Sequence, residues 1–514
     1  MSGTSSIAAI GVLGALTLLG CSGGCGDKPA LPIKAPATGS DGTLVASDGG
    51  VAIPVGGDAG VITVAPGLLD APPGSLDGLF TGLAAAERGG ADGRALILFF
   101  GDSHTAGDSL TSRIRVQMQA KFGDAGRGLV AAGKPAAKHY YQRDVRYGAS
   151  GVWRASVAGK VGDAEPFGID GLRIFGDKKG AQLWVSTCDT CSAGNSVSQF
   201  EILYQAAPDR GALRYRVDEG AWQSLPTKTT AIEPPHPARQ VVAVTDGPHR
   251  LTFEHMGGGQ VDLYGVVMER QKPGVIVDSL GVVGRRLSQL RTWDWSVIGE
   301  QLAARDPRLV VLQYGTNEAD DATTVLEDLA RNYDDTILRI RAAAPTASIL
   351  ILGPPDMAKR ESGKACDKRK PKKPLPDGSP APLDPDCEWH MPAILPEIIA
   401  VQHAAAARNK VAFFDTMTAM GGAEHMDAWA QADPKVAFRD RIHFTDVGYQ
   451  RWADLVTAAL LADYVTWREQ KSLPPSAVLS RTPKPPLPPA NAPLGPSESA
   501  PDAGVLPGAT PVDN

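Results

Sequence analysis

The chain has 514 residues and a net charge of −6, with 43% hydrophobic and 21% charged residues. That length holds a large core and about three domains, and the composition is that of a globular protein. The mildly acidic balance, with no stripe of Lys or Arg, argues against a nucleic-acid surface, so no nucleic-acid partner is expected.

Residues 1–21 read as an export signal. The apolar run Ile7–Gly20 has the length of a signal core and is too short for a transmembrane helix. It ends in Leu18-Leu19-Gly20-Cys21, which resembles the bacterial lipobox, although no Lys or Arg precedes the run. The resemblance implies lipidation of Cys21, a membrane attachment through that lipid, and an exported, periplasmic or outer-membrane-anchored protein. Ser22, in place of an aspartate, fits outer-membrane sorting in a Gram-negative cell. The alternative is a cleaved secretory signal with an incidental cysteine. Residues 22–72, rich in Gly, Pro, Ala and Asp, are expected to form a flexible tether that includes Cys25.

A first α/β segment is expected over 73–150. A helix from Leu76 to Arg88 leads into Ala95-Leu-Ile-Leu-Phe-Phe100, an unbroken apolar run that predicts a strand buried on both faces. Gly101-Asp-Ser-His104 follows, and Leu110, Ile114, Met118 and Phe122 recur at fours, which predicts a helix. A hydroxyl at the carboxyl end of such a strand stands where open α/β sheets place their chemistry, or else it caps the helix. The glycine-rich stretch 123–135 matches no phosphate-binding spacing and is read as a loop.

Over 151–272 the texture changes to short alternating runs punctuated by Gly, Pro and Asp, as in Gln199–Tyr204, Leu213–Val217 and Val261–Val267. This predicts an all-β, jelly-roll-like sandwich, with a hairpin at Tyr215–Trp222. The α/β rhythm resumes over 273–471, interrupted by a Pro- and Lys-rich surface loop at 354–392, and the tail 472–514 is low-complexity. In an exported protein, Cys188 with Cys191 and Cys366 with Cys387 read as two local disulfides, with a zinc site as the alternative.

Polar or glycine-bearing blocks recur where apolar runs end or helices begin: Ser103 in Gly-Asp-Ser-His, Gly284 in Gly-Val-Val-Gly, Asn317 in Gly-Thr-Asn-Glu, and Asp440 with His443 in Asp-Arg-Ile-His. A serine nucleophile needs an adjacent base, the base needs an orienting carboxylate, and an oxyanion needs donors aimed at it. These four blocks in this order resemble the SGNH/GDSL hydrolase family. The resemblance implies a flavodoxin-like, three-layer α/β sandwich with a parallel sheet, interrupted by the all-β domain. It implies a catalytic Ser103, Asp440 and His443, an oxyanion hole from the Ser103 and Gly284 backbone N–H groups and the Asn317 amide, and no metal or cofactor. Gly281 is the less favoured choice for that glycine donor.

Asp102 is read as holding the turn, and His104 and Glu318 as shaping the pocket. His139, His390 and His425 have no partner motif. Trp153, Trp293 and Trp295 are candidates for a sugar site or for core packing. The Gly-Asp-Ser-His variant with a β module after it is similar to bacterial peptidoglycan O-acetylesterases. That implies an acetylated polysaccharide partner, peptidoglycan above all, and an acetyl-enzyme on Ser103. Alternatives are an esterase, lipase or acetyltransferase for another acyl ester, or a non-catalytic glycan-binding surface lipoprotein.

Overall fold

The structure is a computed structural model that describes residues 51–54, 61–64, 67–90, 93–133, 141–159, 166–360, 376 and 387–479. The signal segment with Cys21, Cys25, His139, Cys366, most of the 354–392 loop and most of the tail lie outside the described residues.

A hairpin of β1 (Val51–Pro54) and β2 (Val61–Val64) comes first, followed by β3 (Leu69–Asp70) and helix α1 (Asp77–Arg88). Next come β4 (Arg94–Gly101), the single turn α2 (Ser103–Ala106) and α3 (Ser109–Phe122). The β-rich part runs through β5 (Gly126–Val130), β6 (Arg146–Ser150), β7 (Arg154–Val157), β8 (Leu172–Gly176), β9 (Gln182–Ser186) and β10 (Val197–Ala206). It continues through β11 (Ala212–Val217), β12 (Gln223–Leu225), β13 (His236–Gly247), β14 (Arg250–Gly257) and β15 (Val261–Glu269). The α/β pattern then returns with β16 (Gly274–Gly281), α4 (Leu287–Thr292), α5 (Trp295–Arg305), β17 (Leu309–Gln313), α6 (Thr316–Asp320), α7 (Leu326–Ala343) and β18 (Ser348–Leu352). It closes with α8 (Leu395–Asn409), β19 (Ala412–Phe414), α9 (Thr416–Ala419), α10 (Met426–Gln431) and α11 (Asp446–Gln470).

The main sheet has the order β16-β4-β17-β18-β19-β3, parallel except for β3 at the edge. Counted along the chain, its parallel strands lie in the order 2-1-3-4-5, the flavodoxin-like arrangement expected. Such sheets bind ligands where the strand order reverses, here at the carboxyl ends of β4, β16 and β17. The unbroken apolar run of β4 is explained by two-sided burial. Ala95, Ile97 and Phe99 join the cluster of α1, α3 and α11, while Leu98 and Phe100 join that of α4, α5, α7 and α8. Burial of each such phenylalanine contributes about 1.5–3 kcal/mol.

The inserted module is a sandwich of two antiparallel sheets, β13-β10-β15-β8-β7 and β12-β11-β14-β9-β6, with β5 added beside β15. The expected Tyr215–Trp222 hairpin is present, with Tyr215 opposite Gln223. The module begins earlier than the sequence texture indicates, because β5 and β6 precede residue 151. The glycine-rich stretch read as a loop therefore contains a fully buried strand. Its glycines hid the alternation, and they are there because β5 runs tight against β15 and β16. A Cβ on Gly128 would lie 2.1 Å from Asp278 Oδ1.

The tether is likewise shorter than expected. β1 and β2 lie on α11, and Leu69–Asp70 pairs with Phe413–Phe414. Four-residue strands carry little signal until a partner surface is known.

Two buried ionic networks tie the module to the α/β body. Asp108, completely buried, accepts from Arg115 Nη2 (3.2 Å), Arg127 Nη2 (2.8 Å) and the Arg143 backbone N–H (2.7 Å). Burial opposes its charge, but the two guanidiniums outweigh it and hold the carboxyl below its usual range. Asp278 accepts from the Leu129 N–H at 2.8 Å and from Arg305 Nη2 at 2.7 Å. Leu129, Leu203, Tyr264 and Val267 of the module share one apolar cluster with Leu98 and Phe100, so the module is packed on the body rather than hung from it. Cys188 and Cys191 form the expected disulfide, with Cα atoms 5.4 Å apart, and Cys387 is disulfide-bonded as well.

Candidate active site

Gly101 ends β4, and α2 begins at Ser103, whose hydroxyl stands half-buried at the switch point of the sheet. Asp102 caps this turn as expected. Its Oδ1 accepts the His104 backbone N–H at 2.9 Å, while the buried Oδ2 makes no well-formed hydrogen bond, the Gln313 side chain interacting with the carboxylate only weakly. Burial pushes its carboxyl up to about 7, and the nearby Glu318 adds to the rise.

The Asp440–His443 loop precedes α11 and reaches the same edge. His443 Nε2 lies 2.8 Å from Ser103 Oγ, and His443 Nδ1 lies 2.7 Å from Asp440 Oδ2. Asp440 Oδ1 also accepts the backbone N–H groups of Ile442 (3.0 Å) and His443 (3.1 Å). Desolvation works against the Asp440 carboxylate. The hydrogen bond and charge of His443, with those two amides, prevail and hold it below the usual carboxylate range. Residues 340 apart in sequence thus form a continuous hydroxyl–imidazole–carboxylate relay. Such a relay can take the proton of a serine as its oxygen attacks a carbonyl.

Gly284 sits beyond the end of β16 and Asn317 in α6 beyond β17. Gly284 has φ +73°, and a Cβ there would meet nothing within 4 Å. A glycine is therefore required by the left-handed backbone and not by crowding. Asn317 Nδ2 donates to the Arg285 carbonyl at 3.0 Å. An amide nitrogen carries two N–H donors, so one remains for a developing oxyanion.

Glu318 was expected to shape the pocket, and its part is to brace two loops. Buried, it accepts the Leu287 N–H (2.8 Å) and the Gly315 N–H (2.9 Å), tying the loop after β16 to the loop after β17. Burial raises its carboxyl above the usual range. His104 is also completely buried and backs the relay instead of lining the opening. Its ring lies 5.3 Å from that of His443, and its Nδ1 is 3.1 Å from Tyr449 Oη. Burial holds it neutral, well below the usual histidine range. Sequence reasoning missed Tyr449 and Arg285, because each acts through a contact distant in sequence and carries no motif of its own.

An open groove of about 480 Å³ lies beside Asp440 and Ile442. Trp389 forms a wall of it, with the guanidiniums of Arg441 and Arg360 over its ring at 4.1 and 4.6 Å. His390 also lines this groove, whereas His425 hydrogen-bonds the Ala423 carbonyl away from it. Of the tryptophans weighed for a sugar site, Trp293 and Trp295 pack against the core beneath α4 and α5, and Trp153 packs against the sandwich core.

Residues 245–451 match the family model of the GDSL-like lipase/acylhydrolases. The match includes Gly284, Asn317, Asp440 and His443 but not Ser103, because it begins within the inserted module, at the end of β13. A solved structure described as a peptidoglycan O-acetylesterase is 25% identical, with a TM-score of 0.61, and covers 78% of this chain and 100% of its own. The acetyl xylan esterase AlAXEase is 15% identical over 36% of this chain and 81% of its own, with a TM-score of 0.24. A family two carbohydrate esterase from Cellvibrio japonicus is 12% identical over 63% and 98%, with a TM-score of 0.23. The last two superpose too loosely to carry an argument. No curated protein matches the chain.

Proposed function

We propose that this chain, which resembles the GDSL-like acylhydrolases over residues 245–451 and a solved peptidoglycan O-acetylesterase in fold, is a serine carboxylic ester hydrolase that removes O-acetyl groups from a cell-envelope polysaccharide, namely peptidoglycan. The observation that carries the chemistry is the relay from Ser103 Oγ through His443 to Asp440. In this reading His443 Nε2 takes the Ser103 proton as Oγ bonds to the acetyl carbonyl carbon. The carbonyl electrons move onto oxygen, where the Ser103 N–H, the Gly284 N–H and the second Asn317 amide N–H stabilise the charge. Collapse breaks the bond to the sugar oxygen, which leaves with the proton from His443. Water then attacks the acetyl-enzyme with His443 as base, releasing acetate and restoring the Ser103 hydroxyl. Asp440 stays ionised, orients the imidazole and offsets its charge.

Likeness to a peptidoglycan O-acetylesterase over the full length of that structure supports the substrate. So does an open groove beside Asp440, a shape suited to a polymer. The Ile7–Gly20 run and Cys21 support export and lipid anchoring. Incorporation of labelled fatty acid into wild type but not Cys21→Ala is the result expected for a lipoprotein.

The test is acetate release from O-acetylated and de-O-acetylated peptidoglycan by wild type and Ser103→Ala. We expect release only from the acetylated polymer and only with the serine. If wild type releases no acetate yet hydrolyses a long-chain 4-nitrophenyl ester, the peptidoglycan reading is wrong. If Ser103→Ala retains full activity, the site assignment is wrong.

A further inference from the structure

The residue after Gly284 connects the module to the catalytic edge. Arg285 projects its guanidinium onto the module, where Nε donates to the Ala158 carbonyl at 2.8 Å. The head lies flat against Gly159, so a Cβ on Gly159 would sit 2.0 Å from Arg285 Cζ. One turn further on, Gln289 Nε2 donates to the Gly159 carbonyl at 3.1 Å. The main chain of the same arginine faces the active site, because its carbonyl accepts the Asn317 amide at 3.0 Å. The Arg285 N–H closes a turn on the Val282 carbonyl at 3.2 Å around Gly284. The loop is anchored at its two ends, by the Val282 N–H on the Gly101 carbonyl (2.9 Å) and by the Leu287 N–H on Glu318, while its left-handed Gly284 is exposed. A side chain pinned to a packed sandwich adds a restraint beside that glycine.

We propose that Arg285 is a positioning residue through which the inserted module fixes the oxyanion donors: Ala158 and Gly159 hold the guanidinium, and the Arg285 carbonyl holds Asn317. The proposal rests on the reading of Gly284 and Asn317 as donors to the oxyanion. The module thereby acts on the chemical step, in addition to any contact it makes with the polymer. Donors act in the transition state, so loosening them lowers kcat with little change in KM.

The test uses the full chain with 4-nitrophenyl acetate and compares Asn317→Ala, Arg285→Ala, Gly159→Ala and the Asn317→Ala/Arg285→Ala pair. Gly159 is outside the left-handed region, and the atoms its new methyl would meet are the far end of a flexible side chain. That substitution therefore displaces the guanidinium without straining the backbone. Loss of one oxyanion donor costs about 10²–10³ in kcat, and misplacing it a fraction of that, so Arg285→Ala and Gly159→Ala are each expected to lose about tenfold. KM should stay within about twofold and the melting temperature should hold. Arg285→Ala should cost less in the Asn317→Ala background than in wild type, because the two changes act on one donor. If Asn317→Ala keeps its kcat, the donor reading falls and the inference with it. If Asn317→Ala loses kcat while Arg285→Ala and Gly159→Ala stay within twofold of wild type, the donors stand and only the module's part is overturned. A fall in melting temperature parallel to the loss of activity, or an equal loss in both backgrounds, also overturns it.

Discussion

Replacing Asp102 by asparagine should change stability by an amount that depends on pH. Asp102 is completely buried, its Oδ1 caps the turn through the His104 N–H, and its Oδ2 makes no well-formed hydrogen bond, with only a weak interaction from the Gln313 side chain. Its carboxyl is pushed from 3.8 to about 7, chiefly by burial. Below about pH 4 the group is protonated in both folded and unfolded chains, and contributes no pH dependence. As pH rises the unfolded chain ionises first, so stability is progressively lost until the folded group ionises near pH 7, and then levels off. At about 1.4 kcal/mol per pH unit, that loss is ~4 kcal/mol. Asparagine keeps the Oδ1 acceptor and removes the titration, but it places an unpartnered N–H where Oδ2 was. That adds a constant cost of about 1–3 kcal/mol. The informative quantity is therefore the pH slope of the difference, not its absolute size. Urea unfolding of both proteins, followed by fluorescence and circular dichroism from pH 4.5 to 8.5, should show the variant gaining on wild type by a few kcal/mol. A difference that stays flat across this range would mean that Asp102 is ionised throughout, and the burial argument would be refuted.

Asp440→Asn should lower kcat by about 10³–10⁴, because the imidazole loses its orienting carboxylate and the ionic stabilisation of its protonated form. The Asp440 carboxyl is held below its usual range in the fold. Its stabilising contribution is thus present above the unfolded value near 4 and lost as pH falls through the folded one, so the variant should lose least against wild type in acid denaturation. Asp108→Asn leaves the buried guanidiniums of Arg115 and Arg127 short of a counter-charge. It should cost about 3–5 kcal/mol in chemical unfolding. Gly128→Ala forces a methyl against Asp278 at a residue with φ +89°, and should cost at least about 1–3 kcal/mol by the same measurement. Stability unchanged in that variant would show that β5 does not run as close to β16 as described.

Local pattern was enough wherever burial follows chain periodicity. The two-sided β4, α3 with its apolar residues at fours, and the alternating strands of the sandwich all carry their environment in their own spacing. The site residues were legible for a related reason, since each stands where a strand stops or a helix starts. Elements whose partners are remote did not show. The glycines of β5 read as loop because what requires them, Asp278 and the backbone of β15, lies about 140 residues away. The β1–β2 hairpin needed the surface of α11, and the pocket roles expected for His104 and Glu318 became those of a buried back wall and a loop brace.

The sequence alone determined the fold class, the insertion of an all-β module into an α/β domain, and the candidates for nucleophile, base, orienting carboxylate and oxyanion donors. Those follow from residue type and order. Tertiary structure alone decided that Ser103 and His443 stand 2.8 Å apart, that Asp102 is buried and half-partnered, and that Arg285 spans from the module to Asn317. The reason is that distance, desolvation and the pairing of buried charges are properties of surfaces brought together by folding. No stretch of chain carries them until its remote partner is in place.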